Sequence, residues 1–135
     1  MEKVDIGSDL QQVLFRGRDW FDKKTWYKGL LNYNEEKKEY KIIVGPHGSL
    51  KVDERTVGIF VGRDSKQQDL FTDDIVSVEN DLFVVTWSFI DCGYNLVWVK
   101  NPDQYMNGYM IRKSVLVGNI FDNPEMLEAN NGRYH

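Results

Sequence analysis

Cysteine, histidine and proline are scarce in this 135-residue chain, which has one cysteine, two histidines and three prolines. A single thiol, Cys92, excludes an intramolecular disulfide. With His47 and His135 as the only imidazoles, the chain cannot assemble the usual cysteine and histidine set of a structural zinc site. Positive charge is not in excess either. Seventeen Lys and Arg stand against twenty-one Asp and Glu, a formal net charge of −4 with an isoelectric point near 5.2. No strong basic field draws in phosphate backbones, so nucleic-acid binding is disfavoured. No apolar run is long enough to span a bilayer: the densest, Leu82 to Ile90, is interrupted by Thr86 and Ser88. The opening residues, Met1 to Ile6, carry acids early and lead into no stretch of signal-peptide length. The expectation is a cytoplasmic protein with no membrane partner, in a compartment where an unpaired thiol stays reduced.

What is present is a core and a β rhythm. Hydrophobic residues make up 41% of the chain, enough for one compact domain over residues 1–135, and no linker, low-complexity tract or repeat divides it. β-branched and aromatic residues fall in short runs, separated by turn formers at intervals of roughly ten residues. In Leu82 to Ile90, Phe83, Val85, Trp87 and Phe89 share one face, which the alternation predicts to be buried. Asp74 to Glu79 precedes it as a second strand, joined through a tight turn at Asn80-Asp81. Asp91-Cys92-Gly93 turns into a third, Tyr94 to Val99. Trp26 to Tyr33 and Tyr40 to Val44 flank a charged turn, and Thr56 to Gly62 and Ser114 to Phe121 complete the set. The prediction is a mainly β fold, a small antiparallel barrel-like sheet hiding its edges by closure, with short helices only at the ends. Ser8 with Gln11 forms a capping box at one end, and Asn123-Pro124-Glu125 caps a short helix at the other.

No reaction-specific constellation stands out. Asp64, Asp69, Asp73, Asp74 and Glu79 crowd one stretch but match no metal-binding loop and read as turn and strand-edge residues, so no metal is expected. His47, set among turn formers, has no nucleophile or orienting carboxylate that the sequence places beside it. Cys92 lies beside an acid, without a neighbouring cation to hold a thiolate. No catalytic residue and no cofactor is therefore assigned. The eighteen aromatics read as core rather than stacking platform, because their alternation is that of strands. Two sets of residues carry binding hypotheses. Tyr105, Met106, Tyr109 and Met110, in a segment with turn formers Pro102, Asn107 and Gly108, are of types enriched in interfaces; they either form a partner or self-association surface or cover the sheet's open end. Arg16, Arg18, Lys23, Lys24 and Lys28 form a modest basic patch, the opening for a nucleic-acid alternative.

Several stretches, in order, resemble the landmarks of the YopX family of phage and prophage proteins. They are Phe15-Arg16-Gly17-Arg18, Trp26 to Leu30, Thr56 to Asp64, Leu70 to Val76 and Val117 to Leu127. The most specific are Thr56-Val57-Gly58-Ile59-Phe60-Val61-Gly62 and Gly118-Asn119-Ile120-Phe121-Asp122-Asn123-Pro124-Glu125. Departures sit at Asp73, where the family usually has Gly, and at Ser65-Lys66-Gln67-Gln68, where it usually has a Lys-Asn-Gly turn. The resemblance implies a small, mainly β intracellular protein of a phage or prophage and transfers no catalytic residue. Together the readings set the expectation of a non-enzymatic accessory module in the bacterial host's cytoplasm, acting through contacts with a protein partner or with a second copy in a homo-oligomer, with nucleic-acid binding as the alternative.

Overall fold

The structure, a computed structural model, describes residues 14–46 and 48–130. The capping box at Ser8, both histidines, and Asn131-Gly132, turn formers that the sequence offers as the stop of the last helix, lie outside the described residues. The protein is mainly β, 54% strand against 11% helix, in two antiparallel sheets. Its chain divides into two compact units, one ending at Ile59 and the other beginning at Phe60.

The first unit contains β1 (Phe15–Arg18), β2 (Trp26–Asn34), β3 (Glu39–Gly45) and β4 (Gly48–Val52), ordered β4-β3-β2-β1. β1 also pairs with the first two residues of β5 (Gly58–Arg63). The β2–β3 hairpin closes at Asn34 opposite Glu39. Asn34 accepts the N–H of Lys37 at 2.9 Å and Lys38 takes φ 54°, so the charged stretch forms a four-residue turn. Ile42 and Val52 are its most buried aliphatic side chains. A 3₁₀ turn, Glu54–Thr56, precedes β5, so Thr56 is not a strand residue. It accepts the Arg18 N–H at 2.9 Å and donates to the Asp53 carbonyl at 2.7 Å, locking β1 to the turn.

In the second unit the rest of β5 pairs with β6 (Asp69–Phe71). A five-stranded sheet runs β10-β9-β8-β7-β11, built from β7 (Asp74–Val78), β8 (Asp81–Ser88), β9 (Gly93–Trp98), β10 (Tyr105–Asn107) and β11 (Val115–Asn119). The β7–β8 hairpin is as predicted except for its turn. Val78 pairs with Asp81, so the two turn residues are Glu79 and Asn80, at φ 51° and 73°, one position earlier than expected. β5 bulges between Phe60 and Gly62, and Gly62 sits at φ 144°, where a Cβ would also lie 2.8 Å from Ile111 Cδ1. The core is Leu70, Val76, Val78, Phe83, Val85, Leu96 and Ile111, with Trp98, Met106, Met110 and Leu116 packed on it. At the far end Pro124 leads into α1 (Glu125–Asn130) as predicted. The Asn123 side chain, however, turns back to accept the Asn119 N–H at 3.1 Å, and its carbonyl caps Met126.

Two expectations are corrected. The sheets do not close into a barrel. Alternation and turn spacing are shared by barrels and open sheets, whereas closure requires first and last strands to pair, and here β10 and β11 remain as sheet edges. The aromatic face of β8 is buried only along its first half. Phe83 and Val85 are in the core, but Trp87 is 41% exposed and Phe89 is 88% exposed. β8 ends at Ser88, which puts Phe89 in the turn, and Trp87 pairs with Tyr94 at the end of the hairpin.

Candidate functional site

The far end of the β8–β9 hairpin and the edge strand β10 build a recess in the second unit. Antiparallel register sets Thr86, Asn95 and Asn107 in one row across β8, β9 and β10, and Val84, Val97 and Tyr105 in the next. These rows lie on the face opposite Phe83, Val85 and Leu96, because side chains alternate. A recess of about 530 Å³ opens there, lined by Asp91, Gly93, Tyr94, Asn95, Tyr105, Asn107, Gly108 and Tyr109. A second, of about 280 Å³, shares Asp91, Asn95 and Tyr105 and adds Trp87, Ile90 and Val97.

Local hydrogen bonds fix the lining. Cys92 at φ 53° reverses the chain between β8 and β9. The Asp91 carboxylate clamps that turn through Oδ2, accepting the Ser88 hydroxyl at 3.2 Å and the Asn95 amide at 2.9 Å. Asn107 caps the 3₁₀ turn Gly108–Lys113 by accepting the Tyr109 N–H at 3.0 Å, which sets Tyr109 on the rim. Gly108 is where that turn crosses Tyr94. A Cβ there would overlap the Tyr94 carbonyl and come within 2.6 Å of its ring, so only glycine allows the approach. Burial pushes the Tyr94 hydroxyl above its ordinary pKa, and the charge of Arg112 acts in the opposite direction.

Of the four residues singled out between 101 and 113, the structure brings Tyr105 and Tyr109 together on the rim, 60% and 63% exposed. It turns Met106 and Met110 onto the core cluster. One pair is therefore surface and the other covers the core. The sequence analysis missed Tyr94, Asn95 and Asn107 as lining, although polar Asn at alternating positions of otherwise apolar strands marked that face as wet. Ile90, 93% exposed on the turn, lines the smaller recess, and Phe89 beside it in the chain is 88% exposed.

The basic set is dispersed by its own contacts. Arg16 is buried with its guanidinium 4.7 Å from the Trp26 ring, and Arg18 lies 5.8 Å from the same ring. Lys23 stands 4.4 Å above Trp20, which Lys51 approaches from 4.2 Å, and lies 3.9 Å from Asp53. Lys24 and Lys28 are exposed. The acidic stretch is likewise committed. Buried Asp64 holds a loop, Asp74 accepts the Phe71 N–H at 2.7 Å, Asp69 pairs with Arg63, and Asp73 and Glu79 occupy turns at positive φ. Among the described residues no group of three His, Cys, Asp or Glu side chains gathers to hold a metal ion, and no helix is long and apolar enough to cross a membrane.

The fold and recess define a small two-sheet β protein with an aromatic-rimmed, carboxylate-bearing surface site. Residues 14–128 match the family model described as YopX protein, and the chain belongs to the YopX family. No curated protein matches it.

Proposed function

We propose that the protein is a non-enzymatic interaction module that docks a protein partner on the face formed by the ends of β8, β9 and β10, acting as a phage or prophage accessory factor in the cytoplasm of the bacterial host. The observation that carries this is the gathering of Trp87, Ile90, Tyr105 and Tyr109 around two recesses that share lining residues, every one of them exposed. Large aromatic and aliphatic side chains gathered on a surface, with polar groups set among them, are the composition of a docking patch rather than of an ordinary exterior. Nucleic-acid binding is the weaker reading, because Arg16 and Arg18 are engaged with Trp26 and Lys23 stacks on Trp20.

The test is a tagged pull-down from prophage-carrying cells with and without nuclease, run beside a Tyr105→Ser/Tyr109→Ser variant of unchanged circular dichroism. A protein captured despite nuclease and lost in the variant is the expected result, and sedimentation of the isolated protein separates a second copy from another chain. Recovery of nucleic acid, or capture indifferent to both tyrosines, overturns the proposal.

A further inference from the structure

We propose that the larger recess receives a lysine or arginine side chain from the docked partner, with an apolar side chain two residues away in the same segment seated in the smaller recess. This rests on the docking role proposed above and names the chemistry recognised. Two exposed tyrosines, Tyr105 and Tyr109, stand on the larger recess, while the Tyr94 ring packs against the core beneath Gly108. Ring faces attract a cation through their quadrupole, most strongly where water is displaced. A carboxylate accompanies them. Asp91 spends Oδ2 on Ser88 and Asn95, and Oδ1 takes no hydrogen bond from a described residue. That oxygen is available to a guanidinium or ammonium N–H, a charge-assisted bond about twice as strong as a neutral one.

The unit that carries the recess has the matching net sign, with Arg112 as the cation that acts on Tyr94. No Lys or Arg lines the recess itself. Residues 60–135 carry six Lys and Arg against eleven Asp and Glu, a net −5, so a basic segment is drawn toward this unit and an acidic one repelled. The smaller recess is different in kind, with Trp87, Ile90 and Val97 among its lining, yet it shares Asp91, Asn95 and Tyr105 with the larger. Two adjoining recesses, one suited to a cation and one to an aliphatic group, select a pair of side chains two residues apart on an extended segment rather than an isolated charge. Because the two recesses share Asp91, Asn95 and Tyr105, side chains of one extended segment reach both.

Two-dimensional NMR titration of the whole protein tests this with capped pentapeptides whose central residue is arginine or glutamine and whose residues two positions away on either side are isoleucine. The arginine peptide is expected to bind about tenfold more tightly than the glutamine peptide, shifting the side-chain amides of Asn95 and Asn107. Asp91→Asn and Tyr109→Leu are each expected to erase most of that preference, and Tyr109→Phe to retain it. Since Tyr109 is exposed, its variants keep the fold even if Asp91→Asn loosens the turn. Equal binding of the two peptides, absence of binding by either, or a preference unchanged in Tyr109→Leu overturns the inference. The docking proposal survives any of these if the pull-down still depends on Tyr105 and Tyr109, so the two readings fail separately.

Discussion

Asp64 and Leu116, fifty-two residues apart, are joined by a hydrogen bond of 2.8 Å from the Leu116 N–H to the Asp64 carboxylate. The same carboxylate, almost wholly buried, accepts the N–H groups of Lys66 and Gln68 and the Gln68 side-chain amide, all within 2.9 Å. Burial pushes its pKa up, but the hydrogen bonds from Leu116, Gln68 and Lys66 more than offset this and hold it below the ordinary 3.8. Asp64→Ala leaves three backbone donors without their acceptor and is expected to lower stability by about 3 kcal/mol in urea denaturation. Because the folded-state value is depressed, the group's stabilisation is present above about pH 4 and disappears as pH falls through the folded value. The wild-type midpoint should therefore drop more steeply below pH 4 than that of Asp64→Asn; parallel curves would remove the argument.

β8 divides into two halves with different energetics. Phe83 is 7% exposed within the core cluster, and Phe83→Ala is expected to cost about 3 to 4 kcal/mol. Trp87→Ala should cost about 1 kcal/mol, and Phe89→Ser within about 0.5 kcal/mol, since Phe89 is almost fully exposed. Equal losses for Phe83 and Trp87 in denaturant titrations would contradict the burial described. This strand also marks how far the sequence could be read. Alternation placed Phe83, Val85, Leu96 and Trp98 on the buried face, because period two is a property of any strand. It could not show where β8 ends, which depends on the Asp91 clamp and on Cys92 adopting left-handed geometry. Trp87 sits among the last positions of β8 and Phe89 beyond its end, and this is why both read as core.

The basic set fails as a patch for a related reason. Spacing along the chain brought Arg16 and Arg18 together on one strand face, but not the Trp26 ring that β2 sets beside them through the pairing of Arg18 with Trp26. Arg16→Ala is expected to destabilise by about 1 to 2 kcal/mol, through lost packing and lost cation–π attraction, and to perturb Trp26 fluorescence. Lys24→Ala, on an exposed turn, should leave both unchanged. A silent Arg16→Ala together with salt-sensitive binding of single-stranded DNA would instead return Arg16 to a surface role.

The loop from Asp19 to Thr25 offers a titration test in the first unit. Asp19 Oδ2 accepts the N–H groups of Phe21 and Asp22 at 2.8 Å, and its Oδ1 accepts the Tyr27 hydroxyl at 2.8 Å. The hydrogen bond to Asp19 raises the Tyr27 pKa above its ordinary 10.0, while the Asp22 N–H and the Tyr27 hydroxyl lower that of Asp19. Asp22 is held at about 2 by the Thr25 hydroxyl and the N–H groups of Thr25 and Lys24. Signs follow from linkage. The Tyr27 contribution is present below pH 10 and lost as pH rises through the folded value, whereas the Asp22 contribution is present above pH 3.8 and lost as pH falls toward 2. In ¹³C-detected titrations Asp19→Ala is expected to bring the Tyr27 inflection down toward 10, and Thr25→Val to move the Asp22 inflection up from about 2 toward 3.8. A Tyr27 inflection unmoved by Asp19→Ala would mean that the hydroxyl does not donate to that carboxylate in solution, and that the turn presenting the 82% exposed Phe21 is held by the N–H bonds to Asp19 Oδ2 and by Asp22.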